Sequence, residues 1–256
     1  MHQLPIEQQI LLIAEIVALA ILCLRMWMAG LYRVYVYFFG YLVLELLQAL
    51  IPVLVPLDGR LYVDSYVASQ ALITAFYALV VSELYSNVLR DLPGIAGTAR
   101  RYIKGALVLA IGIAFLPLSL EKTRATLMGY LIFYEWTVML TLVGFVLLVS
   151  AFLVYYPVPL GRNVIVYLVG YVVWFLTAAT TAVIQNHNLG DVWNRQLSSI
   201  AMAVSLVCFV FWCMALSREG ESKRLVVGHQ WNPADEQKLR AQLDAINASL
   251  LRAREK

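Results

Sequence analysis

Four glutamates interrupt long apolar stretches of this sequence, and they are the residues best able to do chemistry there. They are Glu15, Glu45, Glu83 and Glu135. An ionised carboxylate at the centre of a bilayer costs about 2.5 kcal/mol or more on insertion scales, so these side chains are expected to face other helices. Counting along the helices places Glu15 and Glu135 in the outer half and Glu45 near the middle. Glu83 falls toward the opposite end, where an ion pair with the arginines of residues 90–101 is expected.

Polar residues recur at helical spacing near these carboxylates. Gln48 follows Glu45 by one turn, Gln70 belongs to a polar stripe on the next helix, and Thr177 lies in a later apolar run. They predict a cavity for a small ligand that is cationic or linked to proton binding. The alternative is that protonated glutamates and hydroxyl groups hydrogen-bond between helices and only hold the bundle together. The predicted ligand-binding set is Glu15, Glu45, Gln48, Gln70, Glu135 and Thr177.

Other chemistries lack the residues that they need. The last apolar run, QLSSIAMAVSLVCFVFWCMALS, has no lysine that could carry retinal. His2, His187 and His229 all fall outside the apolar runs, so haem is not expected as a cofactor either. No nucleophile paired with a base, phosphate-binding loop or metal-ligand spacing occurs. The sequence therefore predicts no catalytic residues and no metal ligands, and it favours a role other than that of an enzyme.

Composition places the chain in a membrane. Of its 256 residues, 62% are hydrophobic and 14% are charged, whereas about a quarter are charged in soluble domains. Seven runs have the roughly 20 apolar residues that a spanning helix needs, and each is bounded by turn-forming or charged residues. The predicted fold is all-α, a polytopic membrane bundle of seven transmembrane helices. The predicted spans are residues 10–29, 34–55, 61–85, 102–120, 125–156, 160–185 and 196–217.

Basic residues at the joints between these runs predict the orientation. If seven helices alternate, the arginines and lysines at 25–33, 90–104, 162 and 218–224 share one side of the membrane. They outnumber those on the other side, which makes their side cytoplasmic and puts the amino terminus outside. The formal net charge of +3 is small, and the predicted orientation in the membrane accounts for the basic residues. Membrane lipids are therefore expected partners, and nucleic acid is not.

The chain becomes polar and helix-forming after the last apolar run. Asn232 suits the position before a helix and Pro233 suits its first turn. The predicted domains are a transmembrane domain at 1–218, a linker at 219–231 and a cytoplasmic amphipathic helix at 232–256. This helix is expected to dock on its own bundle, on a second copy or on a partner protein, and the β-prone segment KRLVVGHQW before it is expected to be able to pair with a neighbour. The apolar stripe of the docking helix, about two heptads long, is Leu239, Leu243, Ile246 and Leu250.

Several stretches of the sequence resemble a known group of proteins. YVYFFGYLVLELLQAL, SELYSNVLRDLPGIA, YYPVPLGRNVIVY and GHQWNPADEQKLRAQLDAINASLLRA are similar to a group of uncharacterised bacterial seven-helix integral membrane proteins. The resemblance covers nearly all residues and implies the fold and a bacterial inner membrane. In plan alone, the chain also resembles the seven-helix input modules of bacterial sensor kinases, but it carries no kinase.

Three functions remain open from the sequence. The first is small-molecule sensing or binding, with the outer carboxylates as the site and the terminal helix as a relay. The second is a transporter or channel with a carboxylate relay through Glu15, Glu45 and Glu135. The third is a structural subunit of a homo-oligomer or of a larger membrane assembly.

Overall fold

The residues that the structure describes are almost entirely helical. This computed structural model describes residues 5–55, 60–89, 105, 137–148, 150–151, 158–186, 191–222 and 224–227. The elements are α1 (Ile6–Met28), α2 (Val36–Leu54), α3 (Arg60–Leu89), α4 (Thr137–Leu148), β1 (Val158–Gly161), α5 (Arg162–Asn186), α6 (Asp191–Ala215), α7 (Arg218–Ser222) and β2 (Arg224–Val227).

Five of these helices, α1, α2, α3, α5 and α6, are long and apolar enough to cross a membrane. They coincide with the first three and the last two predicted spans, and their bounds differ from the prediction by only a few residues. Of the other two predicted spans, 102–120 lies outside the described residues except for residue 105, and 125–156 is described mainly as α4. The count of seven therefore stays a prediction.

The joint between α1 and α2 shows how local sequence sets the helix ends. Glu7 lies in the first turn of α1 and Arg25 in its last turn, where each charge complements the helix dipole. The chain then leaves the helix through Gly30, whose φ of 71° is easily adopted only by a residue without a side chain. A single 3₁₀ turn at Leu31–Arg33 follows and leads into α2. The two helices are thus antiparallel neighbours.

The five long helices pack side by side in a closed order. α1 contacts α2 and α6, α2 contacts α3, α3 contacts α5, and α5 contacts α6. At one end, Gln8 donates a hydrogen bond to the Ser199 hydroxyl of α6 (3.3 Å). At the other end, the Arg25 guanidinium donates to the Leu216 carbonyl (3.2 Å). We call these the Gln8 end and the Gly30 end of the bundle.

The outer surface of the described helices carries many large apolar side chains. Large hydrophobic side chains that are exposed recur along α1, including Ile13, Val17, Ile21 and Leu24, and the other long helices carry similar faces. Exposed apolar area on this scale is not tolerated in water and is the normal state of a helix in lipid. The described residues thus belong to a multi-pass membrane protein in contact with lipid.

A short sheet closes the Gly30 end. β1 pairs with β2 in antiparallel register, with Leu160 opposite Leu225 and Gly161 opposite Arg224. The β-prone segment before the terminal helix is therefore paired, in part, within its own chain, because α7 brings it back to the start of α5. Within the segment predicted to be a linker, the chain forms the helix α7 and the strand β2.

Glycine lets α5 and α6 approach closely. The Trp212 indole, which is fully buried, lies directly against Gly170, so that a Cβ atom at Gly170 would overlap the ring nitrogen. Phe38 and Tyr171 pack against the same indole, with ring centroids at 5.1 and 5.0 Å. The ring consequently has little room to move.

Replacing Gly170 with alanine is expected to lower the free energy of unfolding by about 1–3 kcal/mol, the usual cost of overpacking a core. Thermal unfolding in detergent micelles, followed by near-UV circular dichroism, measures this loss. Gly144→Ala on α4 is the matched control, because no described atom lies within 4 Å of a Cβ there. That variant should be neutral or slightly more stable, since alanine favours a helix. Equal stability of the two variants would contradict the packing described.

Candidate functional site

Two of the predicted carboxylates lie at one depth in the bundle. Glu15 on α1 and Glu45 on α2 are each nine residues from the helix end at the Gln8 end, about 14 Å along the axis. Both lie within electrostatic range of the Tyr41 hydroxyl, and Glu45 acts on it more strongly than Glu15. Tyr41 is itself completely buried. We call Glu15 and Glu45 the acid pair.

The polar residues Gln48 of α2 and Gln70 of α3 meet between the two helices. The Gln48 amide donates a hydrogen bond to the Gln70 carbonyl oxygen, and Gln70 is buried. Two helical turns toward the Gly30 end, the Tyr41 ring contacts the Tyr77 ring at 5.5 Å. The two contacts are seven residues apart on α2 and seven residues apart on α3. Together they define the register of the two antiparallel helices. The amide pair therefore holds α2 and α3 together next to Glu45.

The structure describes only one of the two remaining members of the predicted set. Thr177 on α5 donates its hydroxyl hydrogen to the Val173 carbonyl of its own helix (2.9 Å). Its hydroxyl therefore bonds within α5. Glu135 lies outside the described residues, as do Leu239, Leu243, Ile246 and Leu250 of the predicted docking helix. Their roles stay predictions.

Glu83 has a role that the sequence did not reveal. Its side chain is 8% exposed and accepts hydrogen bonds from the backbone N–H groups of Tyr37 and Phe38, both at 3.1 Å. Those N–H groups belong to the first turn of α2, which has no side-chain cap of its own. A carboxylate from α3 thus satisfies donors that α2 leaves unpaired, and its charge complements the helix dipole. The arginines expected as its partners lie outside the described residues.

Aromatic side chains fill the centre of the bundle between the acid pair and Glu83. Tyr171 lies in the middle of this group, 4.9 Å from the Tyr167 ring and 6.5 Å from the Tyr41 ring. The Tyr167 side chain lies close to the Glu83 carboxylate. Sequence reasoning missed these tyrosines, although their four-residue spacing on α5 is a helical signal. Rings that pack against this group are Phe38, Tyr77, Trp174, Phe175 and Trp212.

A polar network at the Gly30 end ties α5 to the segment after α6. Asn163 is fully buried, and its amide donates to the Ser217 carbonyl (2.7 Å) while its carbonyl accepts from the Ser217 N–H (3.3 Å). The Glu221 carboxylate accepts from the Tyr35 hydroxyl (2.8 Å) and from Asn163 (3.4 Å). Gly220 lies so close to Asn163 that a side chain at that position would overlap it. We call this the Asn163 network.

The described residues do not assemble a metal centre. No group of three or more histidine, cysteine, aspartate or glutamate side chains comes together in the part of the chain that the structure covers. The free cysteines Cys23, Cys208 and Cys213 lie within the long helices. The chemistry available to the described site is therefore that of carboxylates, amides and phenols.

Comparison with known proteins assigns this chain to no family. No protein-family model, no curated protein and no solved structure matches it. The class of protein is therefore assigned from the described helices alone, and it is that of a multi-pass helical membrane protein.

Proposed function

We propose that this protein is a sensor of the bacterial inner membrane that takes up a proton or another small cation at the acid pair. The observation that carries the proposal is that carboxylates from two different helices lie at one depth and within electrostatic range of one buried tyrosine hydroxyl. An apolar interior disfavours the ionised form of a carboxylate. Uptake of a positive charge at either glutamate offsets that cost.

Packing limits the size of the species. Rings surround Tyr41 closely, with Tyr77 at 5.5 Å and Trp174 at 6.0 Å between centroids. A proton needs no cavity, and a small cation needs only slight separation of α1 from α2. Larger ligands would require the interior to repack. A proton is thus the species that best fits the described geometry.

The same proposal includes seven spans with the amino terminus outside and the tail in the cytoplasm. Among described residues, Arg60 and Arg195 lie at the Gln8 end. The larger set lies at the Gly30 end, and an excess of arginine favours the cytoplasmic side. This set is Arg25, Arg33, Arg162, Arg218 and Arg224. The bacterial inner membrane follows from the resemblance noted in the sequence, and the terminal helix is proposed as the docking element that passes the signal on.

The test is a pH titration of the full chain in lipid nanodiscs, followed by tryptophan fluorescence. Trp174 contacts both Tyr41 and Tyr77, so its emission should report the charge beside them. Glu45→Gln and Glu15→Gln are each expected to move the transition midpoint by about one pH unit or more, because each removes one of the two carboxylates that act on the Tyr41 hydroxyl. Trp174→Phe should remove the transition from the signal.

Glu7→Gln is the matched control, because Glu7 is an exposed carboxylate on the same helix as Glu15. It should titrate like the wild type. Identical titrations of the wild type, Glu15→Gln and Glu45→Gln would overturn the proposal. Proton flux into proteoliposomes that is lost in Glu45→Gln would assign transport in place of sensing.

A further inference from the structure

Four buried polar groups meet at the centre of the bundle without hydrogen bonds of standard geometry to any described residue. They are the hydroxyls of Tyr41, Tyr167 and Tyr171 and the indole N–H of Trp212. All four residues are less than 2% exposed. We call them the central donor cluster.

The four groups are neighbours in space. The Tyr171 ring is 4.9 Å from Tyr167, 5.0 Å from Trp212 and 6.5 Å from Tyr41. They come from α2, α5 and α6, so no local turn explains their grouping. The cluster is bounded by carboxylates, since Glu45 lies within electrostatic range of Tyr41 and Tyr171, and Glu83 lies close to Tyr167.

Leaving such groups unsatisfied is expensive. Each buried donor without a partner costs about 1–3 kcal/mol. Among the described residues no hydrogen-bond partner serves the Tyr41 hydroxyl or the Trp212 N–H, whereas the Tyr167 hydroxyl lies close to Tyr171 and to Glu83. Native proteins satisfy such groups with ordered internal water, which makes two to four hydrogen bonds to its surroundings. Hydroxyl groups both donate and accept hydrogen bonds, as water does.

We propose that Tyr41, Tyr167, Tyr171 and Trp212 bind a small cluster of internal water molecules that joins the acid pair to Glu83 by hydrogen bonds. The site is distinct from the sensing function proposed above and holds whether or not the acid pair takes up a cation. Its chemical consequence is proton exchange along the chain. At each hydroxyl or water oxygen one O–H bond forms as another breaks, so that one proton enters the chain at one end while a different proton leaves it at the other.

Indole N–H signals provide the test. Protein labelled with ¹⁵N-tryptophan in detergent micelles is examined for magnetisation transfer between water and each indole proton, and Trp212→Phe assigns the Trp212 signal. The Trp212 N–H should show a cross-peak to water despite being fully buried. The control in the same sample is Trp174, whose N–H donates to the Ser205 hydroxyl at 3.0 Å. It should show a cross-peak at least several-fold weaker. No transfer to Trp212, or transfer equal to that of Trp174, would overturn the proposal.

A second measurement distinguishes a hydrated cluster from a dry one. Tyr41→Phe removes one hydroxyl and keeps the ring. If water bridges the hydroxyl, the variant loses hydrogen bonds and its thermal unfolding midpoint falls. If the cluster is dry, the variant loses a desolvated donor and its midpoint rises, which would contradict the proposal. Tyr85→Phe calibrates the measurement, because its hydroxyl donates to the Phe145 carbonyl at 2.8 Å and its loss should lower the midpoint.

Discussion

Replacing Glu83 with alanine is expected to lower the free energy of unfolding by about 2–6 kcal/mol, the cost of leaving two N–H donors, one buried and one partly buried, without partners. The donors are those of Tyr37 and Phe38 in the first turn of α2, each 3.1 Å from a Glu83 oxygen. Neither N–H has a carbonyl partner within its own helix, because the first turn of any helix lacks one. The start of α2 should lose its helical structure before the whole protein unfolds.

The measurement combines equilibrium unfolding in mixed micelles with hydrogen exchange. The amides of Tyr37 and Phe38 should exchange faster in Glu83→Ala, whereas amides in the middle of α6 should lose no more protection than the global loss predicts. Glu83→Gln should lie between the wild type and alanine, since its carbonyl oxygen can accept one hydrogen bond but its NH₂ group cannot.

Glu219→Ala is the control for Glu83, because Glu219 is an exposed carboxylate on α7. Its effect should stay within about 0.5 kcal/mol. If Glu83→Ala were as stable as this control, Glu83 would not be the cap of α2.

Replacing Asn163 with alanine is expected to cost about 2–4 kcal/mol and to release the segment that leads to the tail. Asn163 forms hydrogen bonds to both the carbonyl and the N–H of Ser217, and its removal leaves the partly buried Ser217 N–H unpaired, while the Ser217 carbonyl keeps the Gly220 N–H as its donor. α7 and β2 follow directly after this contact. Limited proteolysis and hydrogen exchange of residues 217–227 should therefore both accelerate.

The charge at this position provides a sharper comparison. Asn163→Asp keeps the size and one acceptor but loses the donor, and it places a second carboxylate beside Glu221, which Asn163 now contacts at 3.4 Å. At neutral pH this variant should be at least as destabilised as Asn163→Ala, because like charges in a buried setting repel. Ser222→Ala is the control, since its hydroxyl bonds to the Glu219 carbonyl at an exposed position. Unchanged proteolysis in both Asn163 variants would show that other contacts hold residues 217–227 in place.

Sequence reasoning located the long described helices because lipid imposes a simple rule. A run of about 20 apolar residues must satisfy its backbone internally, and breakers such as Gly30 end it. The start of α1 shows the limit of that rule. The apolar run begins at residue 10, but the helix begins at Ile6, because Gln8 lies beyond the hydrophobic core and contacts Arg195 and Ser199 of α6.

The contents of the candidate site were predictable in part. Helical periodicity placed Glu45 and Gln48 on one face of α2 and Gln70 on a face of α3, and Gln48 and Gln70 are hydrogen-bonded in the structure. Periodicity could not say that Glu15 approaches Tyr41, because the angle at which α1 packs on α2 depends on all their side chains together.

The sequence by itself thus determined an apolar helical chain, the bounds of its long described helices to within a few residues, and the polar faces of α2 and α3. Only the tertiary structure decided that Glu83 caps α2, that β2 returns to pair with β1, and that three tyrosines and Trp212 meet at the centre. The physical reason is sequence separation. The Glu83 contact spans 46 residues and the Asn163 contact spans 54, and no periodicity in one helix specifies which groups of another helix it will meet.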